Sequence, residues 1–123
     1  IVDDEPMVRD ICSRLVRSFG YLARTANDGV EAVERVSEAR SEIRCILLDL
    51  AMPRKGGAEA LRDIRGIAPE IPVVICTGYA DDAAQAGLSE LRLEGFLHKP
   101  YRAEELREAI HRAINGAAAS RRA

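Results

Sequence analysis

Residues 45–48 read CILL and residues 71–76 read IPVVIC. Both stretches are continuous apolar runs, which is typical of strands in a parallel sheet that is covered on both faces. Helical patterns separate them from shorter apolar runs at 1–2, 21–26 and 95–97. Strand and helix therefore alternate along the whole chain, and this alternation predicts an α/β fold with a parallel sheet between two layers of helices.

The helices are predicted from apolar residues that recur at steps of three and four. Pro6 suits the first turn of the first helix, where a missing N–H is tolerated, and Gly20 suits its end. Residues 81–93 are rich in alanine and give the weakest helical pattern. The apolar positions are Val8, Ile11, Cys12, Leu15 and Phe19 in the first helix, Val30, Val33 and Val36 in the second, Ala60, Leu61, Ile64 and Ile67 in the third, and Leu106, Ala109, Ile110, Ala113 and Ile114 in the last.

The composition fits one globular domain in a reducing compartment. The chain has 123 residues, 47% of them hydrophobic, and a net charge of -2, which argues against direct nucleic-acid binding. No apolar run approaches the ~20 residues of a membrane span. The cysteines at 12, 45 and 76 lie inside apolar stretches and are expected to be buried thiols. We therefore expect a cytoplasmic location.

The first predicted strand is unusually short. Residues 1–2 fall below the usual ~3–10 residues of a strand, and the chain does not begin with methionine. We therefore expect further residues upstream, in a longer protein. Within the chain, residues 1–115 are interpreted as the domain and residues 116–123 as a tail.

Polar side chains follow four of the predicted strands. Asp3 and Asp4 follow the first strand, Asp49 the third, Thr77 the fourth and Lys99 the fifth. The carboxyl ends of parallel strands meet at one edge of the sheet, so these residues are expected to converge. Three carboxylates in one place repel each other. A divalent cation relieves that repulsion, and a small set of hard oxygen ligands indicates Mg²⁺.

Each of these residues taken alone also has an ordinary structural explanation. Asp3 and Asp4 could cap the helix that begins near Pro6. Asp49 and Thr77 could be turn residues, and Lys99 could be a surface lysine. The functional interpretation depends on all four strand ends taken together.

Together these motifs resemble the receiver domain of two-component response regulators. The resemblance covers residues 1–115 and rests on the acidic pair, on DLAMP at 49–53, on TGY at 77–79 and on KP at 99–100. It implies a flavodoxin-like (βα)₅ three-layer sandwich with strand order 2-1-3-4-5.

The resemblance also implies roles for the residues at the sheet edge. Asp49 matches the aspartate that accepts a phosphoryl group. Asp4 and Asp49 match direct Mg²⁺ ligands, and Asp3 matches a residue that acts mostly through water. Ala51 occupies the position whose backbone carbonyl binds the metal.

Further implied roles concern the phosphoryl group and the conformational switch. Thr77 would donate to the phosphoryl group and Lys99 would pair with it. Phe96 matches an aromatic switch residue that fills the space that Thr77 vacates. The face expected to change is formed by the predicted helix at 81–93, the strand at 95–97 and the last helix, and this face is also a candidate for homodimer formation. The domain would catalyse its own phosphorylation and dephosphorylation.

Two other functions remain as alternatives. One is a Mg²⁺-dependent phosphatase of the haloacid dehalogenase class, whose nucleophile follows the first strand in an Asp-x-Asp pattern, whereas the acidic pair here is adjacent. The other is an interaction module with this fold that no longer takes phosphate.

The expected partner is a histidine kinase or a histidine phosphotransfer domain. The stretches CTGYADD at 76–82 and GFLHKPYRAEELREAI at 95–110 look most like the C-terminal receiver of a hybrid sensor histidine kinase, a class whose members can be attached to a membrane. A stand-alone regulator and a receiver excised from a transcription factor remain open as the parent protein.

Overall fold

A computed structural model of the protein describes residues 1–49, 57–77, 95–99 and 101–122. Within these ranges the structure has four helices and three strands. They are α1 (Pro6–Ser18), α2 (Gly29–Ala39), β1 (Ile46–Asp49), α3 (Gly57–Ile67), β2 (Val73–Thr77), β3 (Gly95–His98) and α4 (Ala103–Arg122).

The three strands form a parallel sheet in the order β1-β2-β3. Ile46 pairs with Val73, and Val74 pairs with Gly95, so the strands advance in register. Val2 extends the sheet beyond β1, because it forms parallel bridges to both Leu48 and Ala26. The strands β1, β2 and β3 lie in the order predicted for the third, fourth and fifth strands.

Helices cover both faces of this sheet. Because side chains alternate along a strand, neighbouring residues of β1 belong to different cores. Leu48 packs in a cluster with residues of α2 and α3 such as Val36 and Leu61. Leu47 packs in a second cluster with residues of α1 and α4 such as Val16. The predicted three-layer α/β sandwich is confirmed.

Local sequence explains where the first two helices begin. Pro6 is the first residue of α1, as predicted. Asp28 precedes α2, and its Oδ1 accepts a hydrogen bond from the Glu31 N–H at 2.9 Å. Such a side chain satisfies one of the N–H groups that a helix leaves without an internal partner at its start.

Two predicted strands are shorter in the structure. Residues 1–2 and 21–26 form single bridges at Val2 and Ala26 instead of continuous strands. The ammonium group of Ile1 makes the last contact, donating to the Arg24 carbonyl oxygen at 3.0 Å.

A cavity of about 700 Å³ lies beyond this last contact. It is lined by residues 20–26 on one side and 41–47 on the other, with Ile1 and Val2 at one end.

The carboxyl-terminal end also differs from the prediction. Residues 116–122, expected to be a tail, continue the helix α4. Alanine has the highest helix propensity, which explains why this alanine-rich segment stays helical. The helix predicted for residues 81–93 lies outside the described residues.

Candidate functional site

The acidic residues reach one place because the backbone on which they lie is paired. The Asp3 N–H donates to the Ala26 carbonyl oxygen at 3.1 Å, and the Asp49 N–H donates to the Val2 carbonyl oxygen at 3.0 Å. Asp3 directly follows the bridging residue Val2, and Asp49 is the last residue of the neighbouring strand β1. Both side chains project at the carboxyl edge of the sheet, where parallel α/β folds bind ligands.

Three carboxylates converge at this edge. One oxygen from each of Asp3, Asp4 and Asp49 lies within 4.8 Å of the others. Asp3 and Asp49 are each 5% exposed, and Asp4 is half-buried. Carboxylates this close and this poorly solvated need a cation nearby.

Lys99 supplies one positive charge to this cluster. Its Nζ lies 3.0 Å from Asp3 Oδ2 and 3.3 Å from Asp49 Oδ2. The lysine side chain is 26% exposed, so both contacts are only partly screened by water. Lys99 therefore bridges the first and third acidic positions of the sheet edge.

The environment of Lys99 keeps it charged. Burial by itself lowers the pKa of Lys99, but the hydrogen bond with Asp3 and the charge of Asp49 raise it, and the net shift is upward. The side chain is therefore an ammonium ion at neutral pH. One lysine balances one of the three carboxylate charges, so the cluster keeps an excess of negative charge.

This donor set fits Mg²⁺. The ion prefers a few carboxylate oxygens and fills the rest of its shell with water or phosphate oxygens. Asp3 Oδ1 accepts a hydrogen bond from the Glu5 N–H at 3.0 Å, and Asp3 Oδ2 accepts one from Lys99. Among the described residues no donor reaches the Asp4 carboxylate, which is therefore available as a ligand.

The remaining predicted residues are placed only in part. Thr77 is the last residue of β2, beside His98 of β3, and Phe96 lies in β3. Thr77 thus ends β2, and Lys99 directly follows the end of the neighbouring strand β3, at the edge that carries Asp49. The side chains of Thr77 and Phe96 lie outside the described part of the structure, and so does Ala51.

The structure adds two contacts that the sequence analysis did not identify. Arg9 Nη1 donates to the Asp3 carbonyl oxygen at 2.8 Å. The Tyr101 hydroxyl contacts Cys12 Sγ at 3.7 Å, which ties the segment after Lys99 to α1. In the sequence, the signal for the Arg9 contact was its position on the first helix, a few residues after the acidic pair.

None of the three cysteines forms a disulfide, and Cys12 and Cys76 are buried as predicted. The prediction of a buried thiol is wrong for Cys45, which is only half-buried. Burial raises the pKa of the Cys76 thiol to about 12. Burial also raises the pKa of Cys12, although the hydrogen bond with Tyr101 acts in the opposite direction. Both thiols therefore stay protonated and unreactive at neutral pH.

The sequence model of one protein family, described as the response regulator receiver domain, matches residues 1–111. The chain belongs to this family. Receiver domains accept a phosphoryl group on an aspartate in two-component signalling, and they interact with histidine kinases or phosphotransfer partners. The family also binds Mg²⁺ at an acidic cluster of the kind described above.

Individual receiver relatives come from two kinds of protein. The sensor kinase CckA of Brucella abortus (strain 2308) is 34% identical over 110 residues, covering 89% of this chain and 12% of the relative. The response regulator MprA of Mycobacterium leprae (strain TN) is 33% identical over 105 residues, covering 85% of this chain and 45% of the relative. The chain thus spans less than half the length of these relatives.

A solved receiver domain has the same fold. The response regulator receiver domain protein of Clostridium thermocellum superposes with a TM-score of 0.88 at 31% identity, covering 96% of this chain and 94% of that chain.

Among the described residues, no helix is long and apolar enough to cross a membrane.

Proposed function

We propose that Asp49 is the residue that accepts the phosphoryl group. The observation that carries this proposal is the convergence of three carboxylates and one ammonium group at the carboxyl edge of the sheet. Asp49 lies at the end of a central strand, within 3.3 Å of Lys99. A carboxylate that attacks phosphorus must be ionised and held still, and the lysine contact serves both needs.

The same proposal assigns the other site residues. Asp4 and Asp49 would ligate Mg²⁺ directly, the Ala51 carbonyl would add a third protein ligand, and Asp3 would act mostly through water. When bound there, Mg²⁺ supplies positive charge that offsets the carboxylates and the incoming phosphoryl oxygens. The support for this assignment is the distance between the acidic oxygens and the excess of negative charge that Lys99 leaves.

The chemistry then needs little more than positioning. An Asp49 oxygen forms the bond to phosphorus while the bond from phosphorus to the donor histidine nitrogen breaks, and the nitrogen leaves with the electron pair. Charge on the equatorial oxygens is stabilised by the ammonium of Lys99 and by the hydroxyl of Thr77. Asp3 holds Lys99 in place through the 3.0 Å contact before the donor arrives.

The signal is proposed to be a shift between two conformations. Thr77 would move toward the phosphoryl group, Phe96 would fill the vacated space, and the surface of residues 81–93, β3 and α4 would change. A few kcal/mol of differential binding are enough for such a shift. Addition of beryllofluoride, an analogue of the phosphoryl group, should change the NMR signals of residues 81–93, and an unchanged spectrum there would contradict the switch.

We infer a hybrid sensor histidine kinase as the parent protein and a histidine kinase or histidine phosphotransfer domain as the phosphoryl donor. The sensor kinase relative supports this, but the response regulator relative is nearly as similar. The full coding sequence is the decisive observation. A DNA-binding domain after the receiver would overturn both the hybrid-kinase assignment and the expectation of no nucleic-acid contact.

The assignment of Asp49 is tested by the substitution Asp49→Asn. The amide is a poor nucleophile, so Mg²⁺-dependent labelling by a phosphorylated histidine kinase should fall by at least ~100-fold. Asp10→Asn is the matched control, because Asp10 is an exposed aspartate of α1 that pairs with Arg14. It should be labelled like the wild type. Labelling of Asp49→Asn at the wild-type rate would refute the assignment, and a wild-type protein that no phosphodonor labels would favour the interaction module.

A further inference from the structure

We propose that Arg9 is a positioning residue that sets the Mg²⁺ affinity of the site without touching the metal. It acts on the acidic loop, defined here as residues 3–5. The proposal rests on the metal assignment of the previous section and adds a residue outside the acidic cluster to it.

The acidic loop is fixed at several backbone points. The Asp3 N–H donates to Ala26, and the Glu5 N–H donates to Asp3 Oδ1 at 3.0 Å. Arg9 holds the loop twice. Its backbone N–H donates to the Glu5 carbonyl oxygen at 2.9 Å, and its Nη1 donates to the Asp3 carbonyl oxygen at 2.8 Å.

The second of these contacts acts on the ligand residue itself. The Asp3 carbonyl belongs to the peptide plane that joins Asp3 to Asp4. Its orientation sets the direction in which the Asp4 side chain leaves the backbone. Because no described donor holds the Asp4 carboxylate, its aim depends on this main-chain restraint. The Arg9 contact is partly buried, so water replaces it poorly.

A restrained ligand binds metal more tightly, because less conformational freedom is lost on binding. Partners in the outer shell of metal sites typically contribute 10- to 100-fold to affinity. Arg9 holds the backbone of a ligand rather than its carboxylate, so we expect about tenfold, the lower end of that range.

The charge of Arg9 makes the test decisive. A guanidinium beside the acidic cluster repels a second cation, so its removal should tighten Mg²⁺ binding if charge were its only effect. Loss of positioning should weaken Mg²⁺ binding instead. The two explanations therefore predict changes of opposite sign for the same substitution.

The experiment is a Mg²⁺ titration of the unphosphorylated protein, followed by calorimetry and by the rise in melting temperature that Mg²⁺ causes. Arg9→Met keeps the apolar stem and removes the donor, and it should bind Mg²⁺ about tenfold more weakly than the wild type. Arg9→Lys keeps a charge and a donor and should recover part of the loss.

Arg14→Met is the matched control. It removes the same charge from the same helix, but Arg14 is 78% exposed and pairs only with Asp10 among the described residues. Its Mg²⁺ affinity should equal that of the wild type or exceed it slightly. If Arg9→Met lowers the melting temperature without Mg²⁺ by more than about 5 °C, Arg9→Gln, whose side chain is shorter and uncharged, takes its place under the same criterion.

The outcomes separate this proposal from the one on which it rests. A wild-type protein that binds no Mg²⁺ refutes the metal site. A wild-type protein that binds Mg²⁺, together with an Arg9→Met variant of equal or tighter affinity, overturns only the positioning role. Weaker binding by Arg9→Met and partial recovery in Arg9→Lys, with Arg14→Met unchanged, supports it.

Discussion

The two faces of the sheet bury different kinds of side chain. On the face under α2 and α3, the hydrophobic cluster consists of aliphatic residues, and Leu48, Leu61 and Ile64 are fully inaccessible. On the face under α1 and α4, the buried set includes the thiols of Cys12 and Cys76. The first face provides dense aliphatic packing, and the second places titratable groups in the same kind of interior.

The second face also connects to the acidic site. Tyr101, two positions after Lys99, packs against the hydrophobic cluster of the second face and contacts Cys12. Arg9, on the same helix as Cys12, holds the Asp3 carbonyl. The aliphatic face therefore contributes mostly to stability, whereas the α1 and α4 face contributes to stability and also positions the site.

The largest effect is expected on the aliphatic face. Leu61→Ala should lower the free energy of unfolding by about 3–5 kcal/mol, because it leaves a cavity at a fully buried position. Leu22→Ala is the matched control, since Leu22 is 99% exposed, and it should change the free energy by less than about 0.5 kcal/mol. Urea denaturation measures both. Equal effects of the two substitutions would contradict the packing described for this face.

A smaller effect is expected at the edge of the sheet. Lys99→Met leaves Asp3 and Asp49 without their shared cation and should cost about 1–3 kcal/mol in Mg²⁺-free buffer. This is less than the cost of breaking a fully buried pair, because Lys99 is 26% exposed. Measured as the difference from the wild type in the same buffer, the loss in Lys99→Met should become smaller when Mg²⁺ is added. The loss in Leu61→Ala should stay the same. If Mg²⁺ did not reduce the stability loss of Lys99→Met either, repulsion between the carboxylates would not be the cause of that loss.

The smallest effect is a pH dependence that belongs to the α1 and α4 face. The pKa of Cys76 is about 12 in the folded protein and ~8.5 in an unfolded chain. Because the folded value is raised, the stability contribution of the protonated thiol is complete below about pH 8.5 and is lost as pH rises toward the folded pKa. Between about pH 9 and 10, the slope contributed by Cys76 should approach 1.4 kcal/mol per pH unit.

Cys76→Ala tests this slope by removing the titrating group. Its free energy of unfolding, measured in reducing buffer, should fall less steeply with pH than that of the wild type. Leu61→Ala is the control, because it lowers stability at every pH and leaves the slope unchanged. Parallel slopes for the wild type and Cys76→Ala would show that the thiol is not buried as described.

Much of the fold could be predicted because its signals are local. The continuous apolar runs at 45–48 and 71–76 identified two central strands to within two residues. Pro6 marked the start of α1. The pattern was less reliable where burial depends on neighbours, since Ile11 and Val30 fit a helical apolar stripe but are 55% and 40% exposed. Periodicity shows which residues share a side of a helix and does not show how far the next element covers it.

For the candidate site, the sequence predicted which residues come together but not all of their contacts. The sequence placed Asp3, Asp4, Asp49 and Lys99 after strands of a parallel sheet, and the structure brings these four together. Their roles in catalysis and metal binding stay predictions. Arg9 and the contact between Tyr101 and Cys12 could not be predicted, because an arginine or tyrosine has many possible partners until the chain is folded.

The sequence by itself determined the order of strands and helices and the chemical groups that each strand carries to its carboxyl end, because apolar periodicity and turn residues act over a few positions. Only the tertiary structure decided which groups touch. It pairs Lys99 with Asp3 as well as with Asp49, and it brings Arg9 to a backbone carbonyl of the acidic loop. Hydrogen bonds and ion pairs of this kind depend on differences of about 1 Å between distant segments, and no local pattern encodes such distances.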